Sequence, residues 1–378
     1  MTGIDTTGSR QVRDEDAFDV TAMSAWLAAH ARPQSTKIDL SAVPDVRQFS
    51  AGVSNLTYLL RYPDGELILR RPPKGTHHKG AHDMGREYRI QTQLAQVLDH
   101  VPCTVALCED EAVIGTPFYV MERLVGPIPR KNLPRDVQLD RAQTAALCRN
   151  VIGLLADLHA VDLAATGLGD LGKGDGYVRR QVEGWSERYR KARTWNVGSF
   201  ERVMHWLADN QPPDRPHTLV HNDFRFDNIV LDPKNPTRPI GLLDWELATV
   251  GDPLMDLANC LGYWIQADDG RHMQAFRRQP THLPGMMTRE QVVAYYCART
   301  GIDVTNEEWA WYQVFGLFRV AVIAQQVYQR YLAKQTTNNQ FRFFGVAVVL
   351  LELRCRRIIS ATRRMTAEVA DAQVGRMP

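Results

Sequence analysis

Cysteine is scarce in this chain: its 378 residues include six, and no two are spaced as Cys-x-x-Cys. This scarcity excludes a disulfide scaffold, a zinc ribbon and a thioredoxin-like redox motif. No apolar run reaches the ~18 residues that a membrane span needs. The polar N-terminus also lacks the apolar stretch of a secretory signal. We therefore expect a soluble, cytoplasmic protein with no membrane partner.

An excess of charge of one sign is also missing. Forty-five Lys and Arg nearly balance 43 Asp and Glu, so the formal net charge at pH 7 is only +2. This balance argues against a nucleic-acid partner, which requires an extended basic surface. The sequence shows neither internal repeats nor low-complexity runs. Its hydrophobic content of 44% is ordinary for a globular protein, and its length suits one large domain or two coupled domains.

Strand and helix patterns are distributed unevenly along the chain. Strands are predicted at residues 56–62, 66–70, 112–114 and 118–121, and helices at residues 20–31 and 83–98. After residue 125 the pattern is mainly helical, with one β-rich patch at residues 218–246. We therefore predict an α+β fold with two lobes. Residues 1–124 form a small lobe of β-sheet plus helix, with residues 1–15 as a flexible tail, and residues 125–378 form the larger helical lobe.

The most informative stretch is His221-Asn222-Asp223, followed by Asn228 and flanked by apolar runs. Asp244 comes 16 residues after Asn228 and also ends a short apolar run. The pattern His-x-Asp-x₄-Asn, followed by such an Asp, is typical of phosphoryl-transfer sites. It predicts that Asp223 is the catalytic base, which accepts the proton of the acceptor hydroxyl. Asn228 and Asp244 are predicted to bind Mg²⁺, which prefers oxygen ligands.

Two features upstream of this stretch predict a nucleotide site. The first is a small, polar turn whose backbone N–H groups could cover phosphates; its candidate residues are Ser50, Gly52, Ser54 and Asn55. The second is Arg70 at the end of a predicted strand, with Glu87 on the next predicted helix. In kinases a strand cation paired with a helix carboxylate orients the α- and β-phosphates. Arg70 stands where a kinase has Lys, and its guanidinium can bind phosphate through two N–H groups.

The strand predicted at residues 118–121 leads into a segment that we interpret as the hinge between the lobes. The backbone of Glu122 and Leu124 is expected to pair with the edge of adenine, and Met121 to lie at the back of the base pocket. The alternative interpretation is an ordinary edge strand followed by a linker.

Taken together, these segments resemble the aminoglycoside phosphotransferase / choline kinase superfamily, whose members have a protein-kinase-like fold. Within it, the chain looks most like the kinase-like domains fused to some acyl-CoA dehydrogenases. The resemblance spans roughly residues 45–333 and implies ATP and Mg²⁺ as cofactors. It also implies that Asp252 caps the helix that follows the Asp244 segment. Asp256 is implied to brace the loop that carries Asp223, which we call the catalytic loop.

The sequence departs from the family at one position of the catalytic loop. The family usually has His-Gly-Asp where this chain has His221-Asn222-Asp223. Glycine can serve an unusual backbone angle there, and Asn is among the residues that best tolerate the left-handed region. We therefore expect activity to be retained. The Gly-x-Gly-x-x-Gly at residues 167–172 follows no strand and is predicted to be a loop, not a dinucleotide site. His159 and Asp162 are predicted to tie a helix end to the larger lobe.

The acceptor is expected to bind the helical lobe, as is usual in the superfamily. Residues 253–378 contain fifteen Lys and Arg against ten Asp and Glu. This sign disfavours a polycationic aminoglycoside and suits an anionic hydroxyl acceptor, such as a hydroxy acid or hydroxyacyl-CoA. We therefore predict an ATP- and Mg²⁺-dependent small-molecule phosphotransferase that transfers the γ-phosphate to a hydroxyl group.

Three other functions are alternatives to this prediction. One is an aminoglycoside, choline or homoserine-type kinase; choline would require an aromatic cage. Another is a non-catalytic nucleotide-binding scaffold, although such a protein need not keep the intact Asp/Asn/Asp set. Protein kinase activity is disfavoured because no Ala-Pro-Glu motif follows Asp244 and Trp245-Glu246 replaces the usual Phe-Gly.

Overall fold

A computed structural model describes residues 8–49, 55–73, 82–336 and 338–374, with side chains described up to residue 365. In the first third of the chain the strands are β1 (Ser9–Arg10), β2 (Asp45–Phe49), β3 (Leu56–Tyr62), β4 (Gly65–Arg71), β5 (Thr104–Cys108) and β6 (Phe118–Glu122). The helices that accompany them are α1 (Val20–His30), α2 (Met84–Leu94) and α3 (Glu111–Ile114). The strands form one antiparallel sheet in the order β1-β2-β3-β4-β6-β5.

The predicted hairpin is present, with β3 and β4 paired along their whole length. Side chains alternate between the two faces of a strand, so Arg70 and Arg71 point in opposite directions, as predicted. Arg71 is fully buried on one face, where its Nε and one Nη lie 3.1 and 2.9 Å from the hydroxyl of Tyr58. Arg70 points to the other face, toward α2. The alternation thus directs one of two adjacent cations to the candidate site.

The prediction of a strand at residues 112–114 is wrong, because these residues belong to the short helix α3. The side chain of Asp110 accepts a hydrogen bond from the backbone N of Ala112 at 2.9 Å and caps the helix. Gly115, with φ of 85°, ends it. The strand that pairs with β6 is instead β5, which the sequence analysis did not predict. A short apolar run fits a helical turn and a strand equally well, and here the cap decides.

Of the segment predicted to be a flexible tail, residues 1–15, the structure describes residues 8–15. Ser9 and Arg10 pair with Phe49 and Gln48 of β2. The Gln48 side chain in turn donates to Asp16 at 2.7 Å. These contacts use backbone and polar groups, which leave no hydrophobic pattern in the sequence.

The rest of the described chain is mainly helical. Its helices are α4 (Arg141–His159), α5 (Tyr177–Ala192), α6 (Glu201–Asp209), α7 (Pro253–Gly262), α8 (Arg271–Ala275), α9 (Arg289–Thr300), α10 (Asn306–Leu332) and α11 (Phe344–Val374). Two small antiparallel ladders pair β7 (Thr218–Val220) with β10 (Thr249–Gly251) and β8 (Ile229–Leu231) with β9 (Pro239–Leu242). Strands β7, β8 and β9 lie in the patch predicted to be β-rich, residues 218–246, and β10 follows just after it.

The long helix α10 organises the helical core by packing against both α7 and α11. It approaches α7 closely at Gly316, where an added Cβ would overlap the carbonyl oxygen of Ala258. Only glycine allows two helix backbones to come so close. The contact fixes α7, which supports the candidate site described below. Within the described ranges, no helix is both long enough and apolar enough to cross a membrane.

Candidate functional site

The catalytic loop predicted from the sequence is hydrogen-bonded to the N-terminal turn of α7. The backbone N–H groups of His221 and Asn222 donate to the two carboxylate oxygens of Asp256 at 2.7 and 2.8 Å. Asp256 is buried. Burial by itself would raise the pKa of Asp256, but the hydrogen bond and charge of His159 and the charge of His221 hold it below its ordinary value. This geometry agrees with the brace that the family resemblance implied for Asp256.

His159 ties the end of α4 to the helical part of the chain, as predicted, but Asp162 takes no part in this tie. Nε2 of His159 lies 3.2 Å from Asp256, and its Nδ1 lies 2.6 Å from the hydroxyl of Tyr296. Asp162 instead accepts backbone hydrogen bonds within its own turn, from Ala164 and Ala165. His159 therefore ties the end of α4 to α7 and α9. A partner 97 positions along the chain cannot be found from local spacing.

The helix α7 is itself capped as the resemblance implied. Asp252 accepts from the backbone N of Leu254 at 2.7 Å and of Met255 at 3.2 Å. Its other carboxylate oxygen accepts from the hydroxyl of Tyr312 on α10 at 2.7 Å. One buried carboxylate thus joins the start of α7 to the central helix.

Asp223 lies at the centre of the candidate site. Burial raises its pKa, and the charge of Arg225 is the largest effect in the opposite direction. The Arg225 guanidinium lies against the carboxylate, with Nε 3.1 Å from Oδ1 and one Nη 3.1 Å from Oδ2. Nδ2 of Asn228 also donates to Oδ2 at 3.1 Å. The carboxylate is therefore held in a fixed orientation from two sides.

Asn228 and Asp244 are brought together by the ladder of β8 and β9. Leu243, the neighbour of Asp244, donates its backbone N–H to the carbonyl of Asn228 at 2.9 Å. Asp244 has φ of 72°, a left-handed conformation that is uncommon outside glycine. The structure thus places the three polar residues of the sequence motif in one cluster.

Arg70 connects the sheet to this cluster. Its Nη1 lies 3.0 Å from Glu87, as predicted, and its Nη2 lies 3.1 Å from Asp244 and 3.6 Å from Glu246. Burial by itself would lower the pKa of Arg70, but the Glu87 carboxylate, with further help from Asp244, raises it well above the ordinary value. Burial also raises the pKa of Glu87, and Arg70 opposes that rise. The side chain of Arg70 is longer than the Lys of kinases and is forked, so it reaches both Glu87 on α2 and Asp244. We call the segment that follows β9 and carries Asp244 the Asp244 loop.

Of the turn predicted to cover phosphates, the structure describes Asn55, whose Nδ2 donates to Glu246 at 3.0 Å. Ser50, Gly52 and Ser54 lie outside the described residues. Met121 is buried beside Ile68 in a small apolar cluster. The backbone N–H of Glu122 donates to the carbonyl of Cys103 at 2.8 Å. Leu124 follows this strand and lies close to Gly241 of β9.

Three residues at the site were given no role by the sequence analysis. They are Arg225 beside Asp223, Glu246 beside Arg70, and Arg319, whose guanidinium donates to the carbonyl of Asn222 at 2.6 Å. Arg225 and Glu246 lie within two residues of predicted site residues, so proximity was an available signal. Arg319 lies on α10, and its partner is 97 positions away.

An apolar cavity of about 120 Å³ adjoins the site between α7, α8, α10 and α11. Among the described residues in its wall, Arg278 is the one that carries a charge. Tyr263 lines the cavity, and the guanidinium of Arg225 lies 5.0 Å from the centre of its ring. Since Arg225 also contacts Asp223, two side chains in succession, Tyr263 and Arg225, lie between the cavity and the carboxylate.

Across the described part of the chain, no group of three or more His, Cys, Asp or Glu side chains could hold a metal ion alone. The oxygen atoms of Asn228 and Asp244 nevertheless suit Mg²⁺. This ion is usually bound by one or two carboxylates together with waters and substrate phosphates, not by an all-protein cage.

Comparison with known proteins agrees with this geometry. Residues 45–291 match the model of the Phosphotransferase enzyme family. Acyl-CoA dehydrogenase family member 10 of Mus musculus is 37% identical over 331 residues, which cover 87% of this chain and 30% of that protein. Acyl-CoA dehydrogenase family member 11 of Rattus norvegicus is 35% identical over 337 residues, 87% of this chain and 42% of that protein. The chain spans less than half the length of these relatives.

Solved structures agree in fold. A candidate aminoglycoside phosphotransferase of Ralstonia eutropha is 29% identical, with a TM-score of 0.76 over 91% of this chain and 99% of that chain. A mutant of aminoglycoside phosphotransferase APH(4)-Ia, in complex with AMP-PNP and hygromycin B, is 16% identical with a TM-score of 0.53 over 84% of this chain and 93% of that chain. The predicted protein-kinase-like α+β fold and the resemblance to kinase-like domains of acyl-CoA dehydrogenases are confirmed. Because its family match covers more than half of its length, the chain belongs to the phosphotransferase enzyme family.

Proposed function

We propose that this chain transfers the γ-phosphate of ATP to the hydroxyl group of a small molecule, with Mg²⁺ as cofactor. The observation that carries the proposal is the convergence of Asp223, Asn228 and Asp244 in one cluster, to which Arg70 is joined. Family membership supports phosphoryl transfer. The AMP-PNP complex of a phosphotransferase with the same fold supports ATP as the donor.

Asp223 is the base in this proposal. As the acceptor oxygen bonds to the γ-phosphorus, the bond from that phosphorus to the bridging oxygen breaks and ADP leaves. The acceptor proton passes to the Asp223 carboxylate, which Arg225 and Asn228 keep in position. Such transfer depends on alignment and charge stabilisation more than on a strong base.

Asn228 and Asp244 are the residues that would hold Mg²⁺, through an amide oxygen and a carboxylate. When bound, Mg²⁺ supplies charge neutralisation at the phosphates. Arg70, supported by Glu87, orients the α- and β-phosphates. This assignment requires Arg70 to move from Asp244 toward the nucleotide, a shift that its long side chain permits.

The nucleotide is assigned to residues 1–124, and the acceptor and catalysis to residues 125–378. The turn containing Ser50, Gly52, Ser54 and Asn55 covers the phosphates. Met121 lies behind the adenine. Because the N–H of Glu122 already donates to Cys103, the adenine pairs with the carbonyl of Glu122 and the N–H of Leu124.

The acceptor is proposed to be an anionic hydroxyl compound, such as a hydroxy acid or a hydroxyacyl-CoA. Residues 253–378 carry an excess of positive charge, which favours encounter with an anion. The apolar cavity lined by Tyr263, which Arg225 separates from Asp223, offers space for an aliphatic segment of the acceptor. A strongly polar, polycationic aminoglycoside would gain little from such a wall.

The test is Mg²⁺-dependent ADP release across a panel of hydroxy acids, hydroxyacyl-CoAs, choline, homoserine, sugars and aminoglycosides. Wild type is compared with Asp223→Asn and with Asp209→Asn, a control at the exposed end of α6. We expect release with hydroxy acids or hydroxyacyl-CoAs, a loss of 10²-fold or more in Asp223→Asn (the scale of general-base catalysis, on the order of 10²–10⁴-fold), and no change in the control. Turnover of cationic acceptors alone would overturn the proposed acceptor. Nucleotide binding without turnover of any acceptor would favour a scaffold.

A further inference from the structure

Asn222 occupies the position where the resemblance to the family implies glycine, and its backbone conformation is one that favours glycine. Its φ is 64°, in the left-handed region that favours glycine. Asn is one of the few other residues that enter this region readily. The backbone alone therefore does not require a side chain at this position, and the contacts of that side chain need a separate explanation.

The side chain of Asn222 spans from the catalytic loop to the loop that follows Asp244. Its Nδ2 donates to the carbonyl of Leu247 at 3.2 Å. Its Oδ1 accepts from Nδ2 of Asn259 on α7 at 3.3 Å and lies 3.5 Å from the hydroxyl of Tyr177. Leu247 is three residues after Asp244, and Asn222 is the immediate neighbour of Asp223. The contact thus joins the two segments that carry the proposed base and a proposed metal ligand.

The same loop is held from the opposite side by α2. Arg86 donates to the carbonyls of Glu246, at 3.4 Å, and of Ala248. Three successive carbonyls, those of Glu246, Leu247 and Ala248, therefore accept from side chains that alternate between α2 and the catalytic loop. A glycine at position 222 would leave the middle carbonyl without its donor.

We propose that Asn222 is a positioning residue, whose side chain fixes the Asp244 loop relative to Asp223. The inference rests on the proposed function, because the position of Asp244 relative to Asp223 matters for catalysis only if the two residues are metal ligand and base. It goes beyond that function because a family member with glycine at this position has no side chain to make the tie.

The test is Asn222→Gly, which keeps the left-handed backbone free of strain and removes only the side chain. The matched control is Gln34→Gly, at an exposed residue with nearly the same φ of 62°. In Asn222→Gly we expect kcat to fall roughly 5- to 10-fold, the effect of losing about one neutral hydrogen bond. The Mg²⁺ concentration at half-maximal rate should rise, while KM for the acceptor stays unchanged. Gln34→Gly should match wild type in kcat, in the Mg²⁺ concentration at half-maximal rate and in KM for the acceptor.

Hydrogen exchange provides a readout that does not depend on turnover. In Asn222→Gly, the backbone amides of residues 245–248 should exchange faster than in wild type, whereas those of α4 should not. Unchanged exchange at residues 245–248, or unchanged kcat and Mg²⁺ dependence, would overturn the inference and leave the proposed function intact. A wild type that transfers phosphate to no acceptor would overturn the proposed function. In that case the exchange result still decides whether Asn222 ties the two loops.

Discussion

At the scale of single residues, the candidate site concentrates unusual backbone and buried charge. Asn222 and Asp244 both have positive φ, a conformation that costs free energy outside glycine. Arg70 and Glu87 are both buried, and an unpaired charge would be costly there. Each is therefore acceptable only with its partners in place, and single substitutions should have specific effects.

Arg70→Lys is expected to weaken nucleotide binding. A Lys ammonium is a point charge and cannot span Glu87 and the Asp244 loop as the guanidinium does. We expect KM for ATP to rise about tenfold, equivalent to about 1.4 kcal/mol, with a smaller change in kcat. Steady-state kinetics at saturating acceptor measure both.

The neighbouring Arg71→Lys is the control for this substitution. Arg71 is buried on the opposite face of β4, against Tyr58. Its substitution should lower the melting temperature and leave KM for ATP unchanged. An equal rise of KM in both variants would contradict a specific role for Arg70.

At the scale of secondary-structure elements, the first turn of α7 supports the catalytic loop. Asp252 caps the helix and Asp256, one turn later, accepts from the catalytic-loop backbone. The sequence pattern Asp-Pro at the start of a helix indicates such a cap, whereas the target of the second carboxylate depends on how β7 meets α7.

Asp256→Asn is expected to lower the free energy of unfolding at pH 7 by roughly 2–4 kcal/mol, because it disrupts a buried hydrogen-bonded network. The folded-state pKa of Asp256 lies below its ordinary value of 3.8. Its carboxylate therefore stabilises the fold above pH 3.8, and this contribution is lost as the pH falls through the folded-state pKa. The difference in the free energy of unfolding between Asp256→Asn and wild type should therefore become smaller at acidic pH.

Denaturant unfolding at neutral and acidic pH measures this difference. Asp162→Asn, an exposed carboxylate in the turn after α4, serves as the comparison and should change the free energy of unfolding less. A deficit in Asp256→Asn that stays constant down to acidic pH would show that the charge of Asp256 is not what stabilises the loop.

At the scale of the whole molecule, α2 connects the sheet to the helical part of the chain. Arg86 donates to the carbonyls of Glu246 and Ala248, and Arg89 pairs with Asp170 at the surface. The two arginines lie on one helix but differ in exposure: Arg86 is half-buried and Arg89 is exposed. Only the first contacts the loop that carries Asp244.

Arg86→Met should raise KM for MgATP roughly three- to tenfold, since the loss of a half-buried charged donor to carbonyls costs about 1 kcal/mol or more. Arg89→Met should have little effect, because exposed ion pairs contribute ~0–1 kcal/mol. Titration of nucleotide binding in both variants tests this difference. Equal effects would show that α2 acts through general stability and not through the Asp244 loop.

Features that depend on local order could be predicted from the amino-acid sequence. The β3–β4 hairpin, the opposite directions of Arg70 and Arg71, and the spacing of Asp223, Asn228 and Asp244 all follow from alternation and motif. They could be predicted because neighbours in the chain are tied by covalent geometry. The same local reasoning failed where an apolar run was too short to distinguish strand from helix, as in α3.

Contacts between groups that are distant in the chain depend on the packing of the whole fold. The pairing of His159 with Asp256, of Asn222 with Leu247 and of Arg86 with the Asp244 loop joins residues 25–162 positions apart. Such contacts depend on how helices and strands pack, for example on the close approach of α7 and α10 at Gly316. Packing is set by the shapes of many side chains together and leaves no periodic signal in the sequence. The identities of the candidate site residues could therefore be predicted from local motifs. Their alignment in space arises from contacts between distant parts of the chain.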